Sequence, residues 1–150
     1  MALDSDVQMW ATAISTNAGN GRKIIFRYAK ELSPTFDRAS QPIRIIIVWR
    51  YKSDRGMPNW DDHQQMNLLE DTLEPVLGED RFATLALVST GEDLREWTFY
   101  VKSEDEFFTR LNRALGGMPR FPIEIHTASD PTWDMYEQFK AGVREVAEGA

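Results

Sequence analysis

The chain has 150 residues, 42% hydrophobic and 27% charged, as is usual for a globular protein, and this length suits one domain over residues 1–150. The absence of cysteine excludes disulfides, thiolate metal sites and cysteine nucleophiles. The net charge of −7 argues against a protein whose whole surface binds phosphate backbones.

The N-terminal part is predicted to form a β-hairpin over residues 7–31. The segments VQMWATAIST and RKIIFRYAKEL are rich in β-branched and aromatic residues. The NAGNG sequence between them favours a tight turn with positive φ. Residues 33–42 form a loop with two prolines, and residues 43–52 form a strand that is apolar on both faces in its middle, which predicts a central strand.

A helix follows this strand. Asn59 can cap its first turn, where Asp61 and Asp62 are favoured by the helix dipole. Pro75 predicts a kink near the end, and Gly78 is a plausible stop. The buried stripe is predicted at three- and four-residue steps, namely at Met66, Leu69, Leu73, Val76 and Leu77.

Two strands, residues 81–90 and 95–102, are joined by a short turn and then lead into a second helix. Ser103 and Glu106 have the spacing of a capping box at its start. Gly116 and Gly117 end this helix. Its apolar stripe is predicted to consist of Phe107, Phe108, Leu111 and Leu115.

The last strand covers residues 121–128, and a third helix is predicted over 130–148. Asp130 followed by Pro131 is typical of a helix cap with proline at the first helical position. One face of this helix carries Trp133, Tyr136, Phe139, Val143 and Val146.

The order of these elements is β-β, then β-α-β-β-α-β, then α. The middle part, residues 42–128, has the split βαβ pattern of a ferredoxin-like α+β sandwich. Right-handed crossovers would place its two helices on one face of an antiparallel sheet. We expect the N-terminal hairpin to extend that sheet and the third helix to pack on a face or an edge.

Alternation along the strands assigns the side chains to two faces. The helix-covered face is predicted to contain Ile45, Ile47, Trp97, Phe99, Ile123 and Ile125. The second face is mixed and contains Arg44, Arg50, Glu96, Tyr100, Glu124 and His126. A sheet of this type often leaves its second face open. Its polar residues either form cross-strand ion pairs on a wet surface or line a ligand site.

Arg95 and Glu96 begin the strand that contains Trp97, and they point to opposite faces. We predict that the Arg95 guanidinium pairs with Asp130 and so joins the preceding hairpin turn to the last helix. Glu96 is expected to face outward. Glu124 and His126 share a strand face and provide half of a general acid–base pair.

Trp133 and Tyr136 either pack in the core or offer their N–H and O–H groups to a partner. His63 is expected in a solvated first helical turn. The sequence contains no glycine-rich phosphate loop and no hydrolase or metalloprotease signature, so no catalytic residue, metal site or cofactor is expected.

The charge is unevenly distributed. Residues 1–55 contain nine basic and five acidic residues, which gives +4, whereas residues 56–150 contain eight and nineteen, which gives −11. The basic residues on the predicted strands either pair with acidic neighbours or form a nucleic-acid patch. The N-terminus has no basic region and no long apolar run, and the longest apolar stretch, IIIVW, is too short to cross a bilayer, so a cytoplasmic location is expected.

Several segments together resemble a bacterial family, the domain of unknown function 695. They are WRY followed by GMP, then MNLLEDTLEPVL, TGEDLREWTFYV and PIEIHTASDPTWDMYEQF, and the resemblance covers roughly residues 7–140. It implies a bacterial cytosolic protein, sometimes associated with a domain resembling regulator of ribonuclease E activity B, and no established activity. The most specific residues are Thr90, Gly91, Arg95, Glu96, Trp97, Asp130, Pro131, Trp133 and Tyr136.

These features favour a non-enzymatic binding or regulatory module that acts on a protein partner or through self-association at a sheet edge. One alternative is a small-molecule binder or hydrolase that uses Arg95, Glu96 and His126 or Glu124. A second alternative is a weak nucleic-acid binder that uses the basic N-terminal strands.

Overall fold

The computed structural model describes residues 6–143 and has a mixed α+β fold. Six antiparallel strands form one open sheet, and three helices pack on it. No helix of residues 6–143 combines the length and apolar character needed to cross a membrane. The elements are β1 (Val7–Thr16), β2 (Lys23–Leu32), β3 (Ile43–Arg50), α1 (Trp60–Gly78), β4 (Ala83–Gly91), β5 (Leu94–Val101), α2 (Glu104–Leu115), β6 (Ile123–Ser129) and α3 (Asp134–Gly142). The strand order in the sheet is β1-β2-β4-β5-β3-β6.

The predicted N-terminal hairpin is present. Strands β1 and β2 pair from Thr16 opposite Lys23 to Val7 opposite Leu32, with an irregular register around Met9. Because β2 also pairs with β4, the hairpin continues the sheet and makes β1 its outer strand. The other outer strand is β6, which pairs with β3.

Helix α1 begins as predicted, with the Asn59 side chain accepting a hydrogen bond of 2.8 Å from the Asp62 N–H. Pro75 does not stop the helix, which continues to Gly78 and is followed by one 3₁₀ turn, Glu79–Arg81. The stripe that faces the sheet consists of Met66, Leu69, Leu73 and Leu77, all buried, while Val76 is only partly buried.

Helix α2 starts at the predicted cap, where the Ser103 hydroxyl accepts from the Glu106 N–H at 3.2 Å. The Glu106 carboxylate instead accepts a hydrogen bond of 2.9 Å from Arg110. The Arg110 guanidinium also donates to the carbonyl oxygens of Val76 and Glu79, both at 3.0 Å. It therefore supplies a donor to the Val76 carbonyl in the last turn of α1 and a second donor to the Glu79 carbonyl, which also accepts from the Phe82 N–H at 3.1 Å.

The main core lies between the sheet and the pair α1 and α2, on the face that alternation predicts. Ile45, Ile47, Trp97 and Phe99 are buried there, with Ile123 and Ile125 packed at its border. The ring centroid of Trp49 lies 6.4 Å from that of Trp97 and 5.8 Å from that of Phe121.

The second face of the sheet differs from the predicted open surface, because α3 covers part of it. Tyr100 is fully buried and its ring stacks on that of Trp133, with centroids 4.1 Å apart. Farther along α3, Phe139 packs on Phe26 and Tyr28 of β2.

Helix α3 also begins later than predicted, at Asp134 instead of near Asp130. Trp133 precedes it in the left-handed region, with φ 59°. The helix ends at Gly142, so Val143 follows it, and the predicted extension to residue 148, including Val146, lies outside the described residues.

Candidate functional site

Asp130 anchors the start of α3 to the centre of the sheet. It follows β6 directly, and its carboxylate accepts hydrogen bonds from the Tyr100 hydroxyl at 2.7 Å and from Arg44 Nη1 at 3.1 Å. It also accepts from the N–H groups of Asp134 at 2.8 Å and Met135 at 3.3 Å. Arg44 and Tyr100 lie opposite each other on β3 and β5, which is why both reach the same carboxylate.

The environment of this cluster shifts the pKa values of Asp130 and Tyr100. Burial would raise the pKa of Asp130, but the hydrogen bonds from Tyr100, the two N–H groups and Arg44 outweigh it and hold that pKa below its usual range. Burial, followed by the hydrogen bond to Asp130, raises the pKa of Tyr100. Asp130 is therefore a fully engaged carboxylate and Tyr100 a neutral donor, which is the arrangement of a structural anchor.

The polar atoms of Trp133 and Tyr136 are used within the chain. The Trp133 indole N–H donates to the carbonyl oxygens of Gln41 at 3.0 Å and Arg38 at 3.2 Å. The Tyr136 hydroxyl donates to the carbonyl oxygen of Ala29, and burial raises the pKa of this tyrosine to about 12. Both side chains are buried, so these two residues fix α3 to the hairpin and to the loop before β3.

The predicted pairing of Arg95 with Asp130 is wrong. Arg95 lies on the face covered by α1, whereas Asp130 lies on the side covered by α3, and Arg44 makes the predicted contact instead. The Arg95 Nε–H donates to the Thr90 hydroxyl at 2.8 Å, and its guanidinium lies 5.6 Å from the centre of the Trp97 ring.

Arg95 is only 9% exposed, and no carboxylate of residues 6–143 lies within 4.0 Å of its guanidinium nitrogens. Burial lowers its pKa, although Glu70 opposes that shift. Glu70 accepts hydrogen bonds from Arg27 at 2.7 Å and from the Trp97 indole N–H at 2.8 Å. This cluster fastens α1 to β2 and β5.

The remaining part of the second face is exposed at the β6 side. Glu124 lies 3.4 Å from Arg50 Nε and 3.5 Å from His126 Nε2, and all three side chains are more than half exposed. Glu96 faces the same side and is partly exposed. No group of three or more metal-binding side chains converges among residues 6–143. His63 is exposed on the first turn of α1, as expected.

A shallow cavity of about 180 Å³ lies at the other end of the central strands, where Ser40 precedes β3 and Lys102 follows β5. The predicted binding residues do not line it, and its two acidic and two basic side chains include the Arg81–Asp6 ion pair of 3.1 Å. Its lining consists of Asp6, Thr35, Phe36, Asp37, Ser40, Arg81 and Lys102.

The outer strand β1 carries an apolar surface that was not among the predicted binding residues. Its ten residues include no charged residue, no histidine and no proline. Met9 is 44% exposed, Trp10 39% and Ile14 46%, and the neighbouring Ile25 on β2 is 39% exposed. The run of ten uncharged residues in a chain with 27% charged residues is the sequence signal that could have identified this edge.

The two outer strands are therefore different. An outer strand leaves backbone N–H and C=O groups on one side without a partner strand, and charged residues normally protect it from pairing with other chains. Strand β6 contains Glu124 and His126, whereas β1 has no such protection beyond the irregularity near Met9. We define the binding edge as the regular part of β1, residues 10–16.

The match to known families covers both the binding edge and the Asp130 anchor. The model of a family of unknown function, DUF695, matches residues 8–140. A search of curated proteins found no match to the chain. Since the family match extends from β1 into α3, as the sequence resemblance implied, the chain belongs to the DUF695 family.

Proposed function

We propose that this protein is a non-enzymatic binding module that takes up a strand of a protein partner at the binding edge. The observation that carries the proposal is the absence of charge and proline along β1 together with its exposed Trp10 and Ile14. In strand addition, backbone hydrogen bonds provide affinity and alternate side chains provide specificity. An edge of seven residues offers both.

The side-chain pattern of the binding edge supports this mode of binding. Trp10, Thr12 and Ile14 alternate onto one face, and Ile14 lies opposite Ile25 on β2. The guanidinium of Arg27 lies 5.5 Å from the centre of the Trp10 ring, which keeps that ring against the sheet. A partner strand would therefore meet a preformed apolar row instead of flexible side chains.

The other surfaces give less support to the alternative functions. A nucleic-acid site needs free basic groups, but several arginines of the strands and of the hairpin turn are already paired with carboxylates of the chain. The exposed Glu124 carboxylate is already paired with Arg50 and lies 3.5 Å from His126. The paired arginines are Arg22 with Glu92, Arg27 with Glu70, Arg44 with Asp130 and Arg50 with Glu124.

We also propose that the part from β3 to β6 is ferredoxin-like. The strand order β4-β5-β3-β6, the antiparallel pairing and the two crossover helices on one face support it. On this view the hairpin is an addition that moves the free edge of the sheet from β4 to β1. A cytoplasmic location remains part of the proposal and is supported by the absence of cysteine.

Affinity capture with two matched variants tests the proposal. Thr12 and Thr127 are exposed threonines on opposite outer strands, so Thr12→Lys places a charge on the binding edge and Thr127→Lys places one on β6. We expect proteins captured from the native cytosol by the wild type and by Thr127→Lys to be lost with Thr12→Lys. Each captured protein is then purified and its binding remeasured. Equal capture by all three chains, or none by any, would contradict the proposal.

A further inference from the structure

We propose that the strand that docks on the binding edge is β1 of a second copy of this chain, antiparallel to the first and related to it by a two-fold axis beside Thr12. This inference rests on the proposed function and names its partner. The resulting dimer would have one continuous sheet of twelve strands, with two six-stranded halves joined at β1.

Charge is the first reason for choosing a second copy. A two-fold axis brings equivalent parts of two identical strands together, so any charged residue near the axis would meet its own copy and repel it. Strand β1 has no charged residue along its whole length. Two arginines of the hairpin are paired within the chain, because Arg22 lies 3.5 Å from Glu92 and Arg27 lies 2.7 Å from Glu70.

The geometry of a sheet then restricts the register. A two-fold axis perpendicular to the sheet keeps each side chain on its own face, so the axis must pass beside a residue and not between two residues. Centring it on Thr12 places Trp10 opposite Ile14 of the second copy, and Ile14 opposite Trp10 of that copy.

The two neighbouring centres do not bring Trp10 and Ile14 together. With the axis at Ala11, Trp10 would face Thr12, and with the axis at Ala13, Ile14 would face Thr12. Only the register centred on Thr12 places the exposed Trp10 of each copy opposite the exposed Ile14 of the other copy, so this pair forms twice. Aromatic and β-branched pairs of this kind, flanking a Thr–Thr pair, are favourable across antiparallel strands.

Small residues lie at the join on the opposite face. There Ala11 would lie opposite Ala13 of the second copy. Ala13 is only 7% exposed, and Phe139 and Val143 from the end of α3 pack against its cluster. The two residues nearest the axis on this face therefore add little bulk to the join.

The absence of cysteine allows the register to be mapped directly. A disulfide forms only when the two Cα atoms approach within about 7 Å, which directly opposite strand residues satisfy. We expect Thr12→Cys to give a covalent dimer on mild oxidation, and a mixture of Trp10→Cys and Ile14→Cys chains to give a mixed dimer. Thr127→Cys, on the opposite outer strand, is the matched control and should remain monomeric on a denaturing gel.

Light scattering after size exclusion provides the second measurement. We expect a dimer for the wild type and for Thr127→Lys, and a rise of about tenfold or more in the dimer dissociation constant for Thr12→Lys, since two lysines would meet at the axis. Near-ultraviolet circular dichroism and the melting temperature show whether each variant is folded. A variant that proves unfolded is replaced by Thr12→Glu, which creates the same repulsion with the opposite sign.

The outcomes separate this inference from the proposed function. A monomeric wild type whose capture of another protein depends on Thr12 would overturn the dimer and leave strand addition intact. A dimer that Thr12→Lys does not weaken, or one in which Thr127→Cys cross-links as fast as Thr12→Cys, would also overturn it. A monomeric wild type with no Thr12-dependent capture would refute both.

Discussion

Removing the Asp130 carboxylate is expected to loosen the attachment of α3 more than any comparable change on the surface. In Asp130→Ala, the Tyr100 hydroxyl, Arg44 and two backbone N–H groups lose their common acceptor. Three of these bonds are 3.1 Å or shorter, and Asp130 is only 5% exposed. The donors left behind would be poorly hydrated, which is what makes the change costly.

The size of the expected loss of stability follows from the burial of Asp130 and Arg44. Removing one member of a buried ion pair costs about 3–5 kcal/mol. The Arg44 side chain is 27% exposed, so water can replace part of the hydrogen bonding that it loses with Asp130. We therefore expect a loss near about 3 kcal/mol in the free energy of unfolding. For a chain of this size that corresponds to a fall of about 6–12 °C in melting temperature.

Urea unfolding followed by tryptophan fluorescence measures this loss, and Glu124→Gln is the control. Glu124 is also a carboxylate paired with a strand arginine, but both partners of that pair are more than half exposed, so its removal should change little. Equal losses for Asp130→Ala and Glu124→Gln would refute the anchor. So would a melting temperature for Asp130→Ala within about 2 °C of the wild type.

The pH dependence provides an independent check of the same carboxylate. Because the pKa of Asp130 is lower in the folded state than in the unfolded chain, its contribution is fully present above the unfolded value of about 3.9. It is lost as the pH falls through the folded pKa. The stability difference between wild type and Asp130→Asn should therefore be constant near neutrality and shrink below about pH 4.

Three other changes are expected to have distinct effects on stability. Gly91→Ala should lower the melting temperature strongly, because a Cβ there would lie 2.6 Å from a backbone carbonyl oxygen of β2. Gly78→Ala is the control and should not lower it, because a Cβ at that position would have no heavy atom within 4 Å. Arg95→Met should leave the melting temperature unchanged or raise it, since the buried guanidinium has no carboxylate of residues 6–143 within 4.0 Å; a loss above about 2 kcal/mol would contradict this. Burial raises the pKa of both Tyr51 and Tyr136 to about 12, so folding favours their neutral forms. The free energy of unfolding should therefore fall as the pH rises from about 10 to 12. Alkaline denaturation monitored by circular dichroism tests this.

Features set by short stretches of sequence were predictable. Asn59 and Ser103 cap their helices because a side-chain oxygen needs only the N–H three residues later. The alternation along β5 correctly separated Trp97 from Tyr100, because the two-residue period of a strand is fixed by its backbone. The mixed α+β class followed from the order of these elements.

Features set by contacts between distant segments were not predictable. Arg44 was placed on the correct face, but its contact with Asp130 depends on how β3 and β6 are paired, from Ile43 opposite Ser129 onward. The late start of α3 depends on the left-handed conformation of Trp133. A bulky residue adopts that conformation only when the surroundings hold it, here the stacked Tyr100 ring and two hydrogen bonds from its indole N–H. None of these partners of Trp133 lies nearby in the sequence.

The Asp130 anchor and the binding edge are connected through α3. The anchor holds the first turn of the helix, and farther along the helix the Tyr136 hydroxyl bonds to the backbone of β2 at Ala29 while Phe139 packs on Phe26. A hairpin alone is only marginally stable in water, and most of the face of β1 and β2 toward α1 is uncovered. The contacts with α3 therefore provide much of the packing that keeps the hairpin flat against the sheet. A rigid edge loses less conformational entropy when a strand docks on it. The buried anchor therefore has a role in binding, although its partner Tyr100 lies on β5, three strands away from β1.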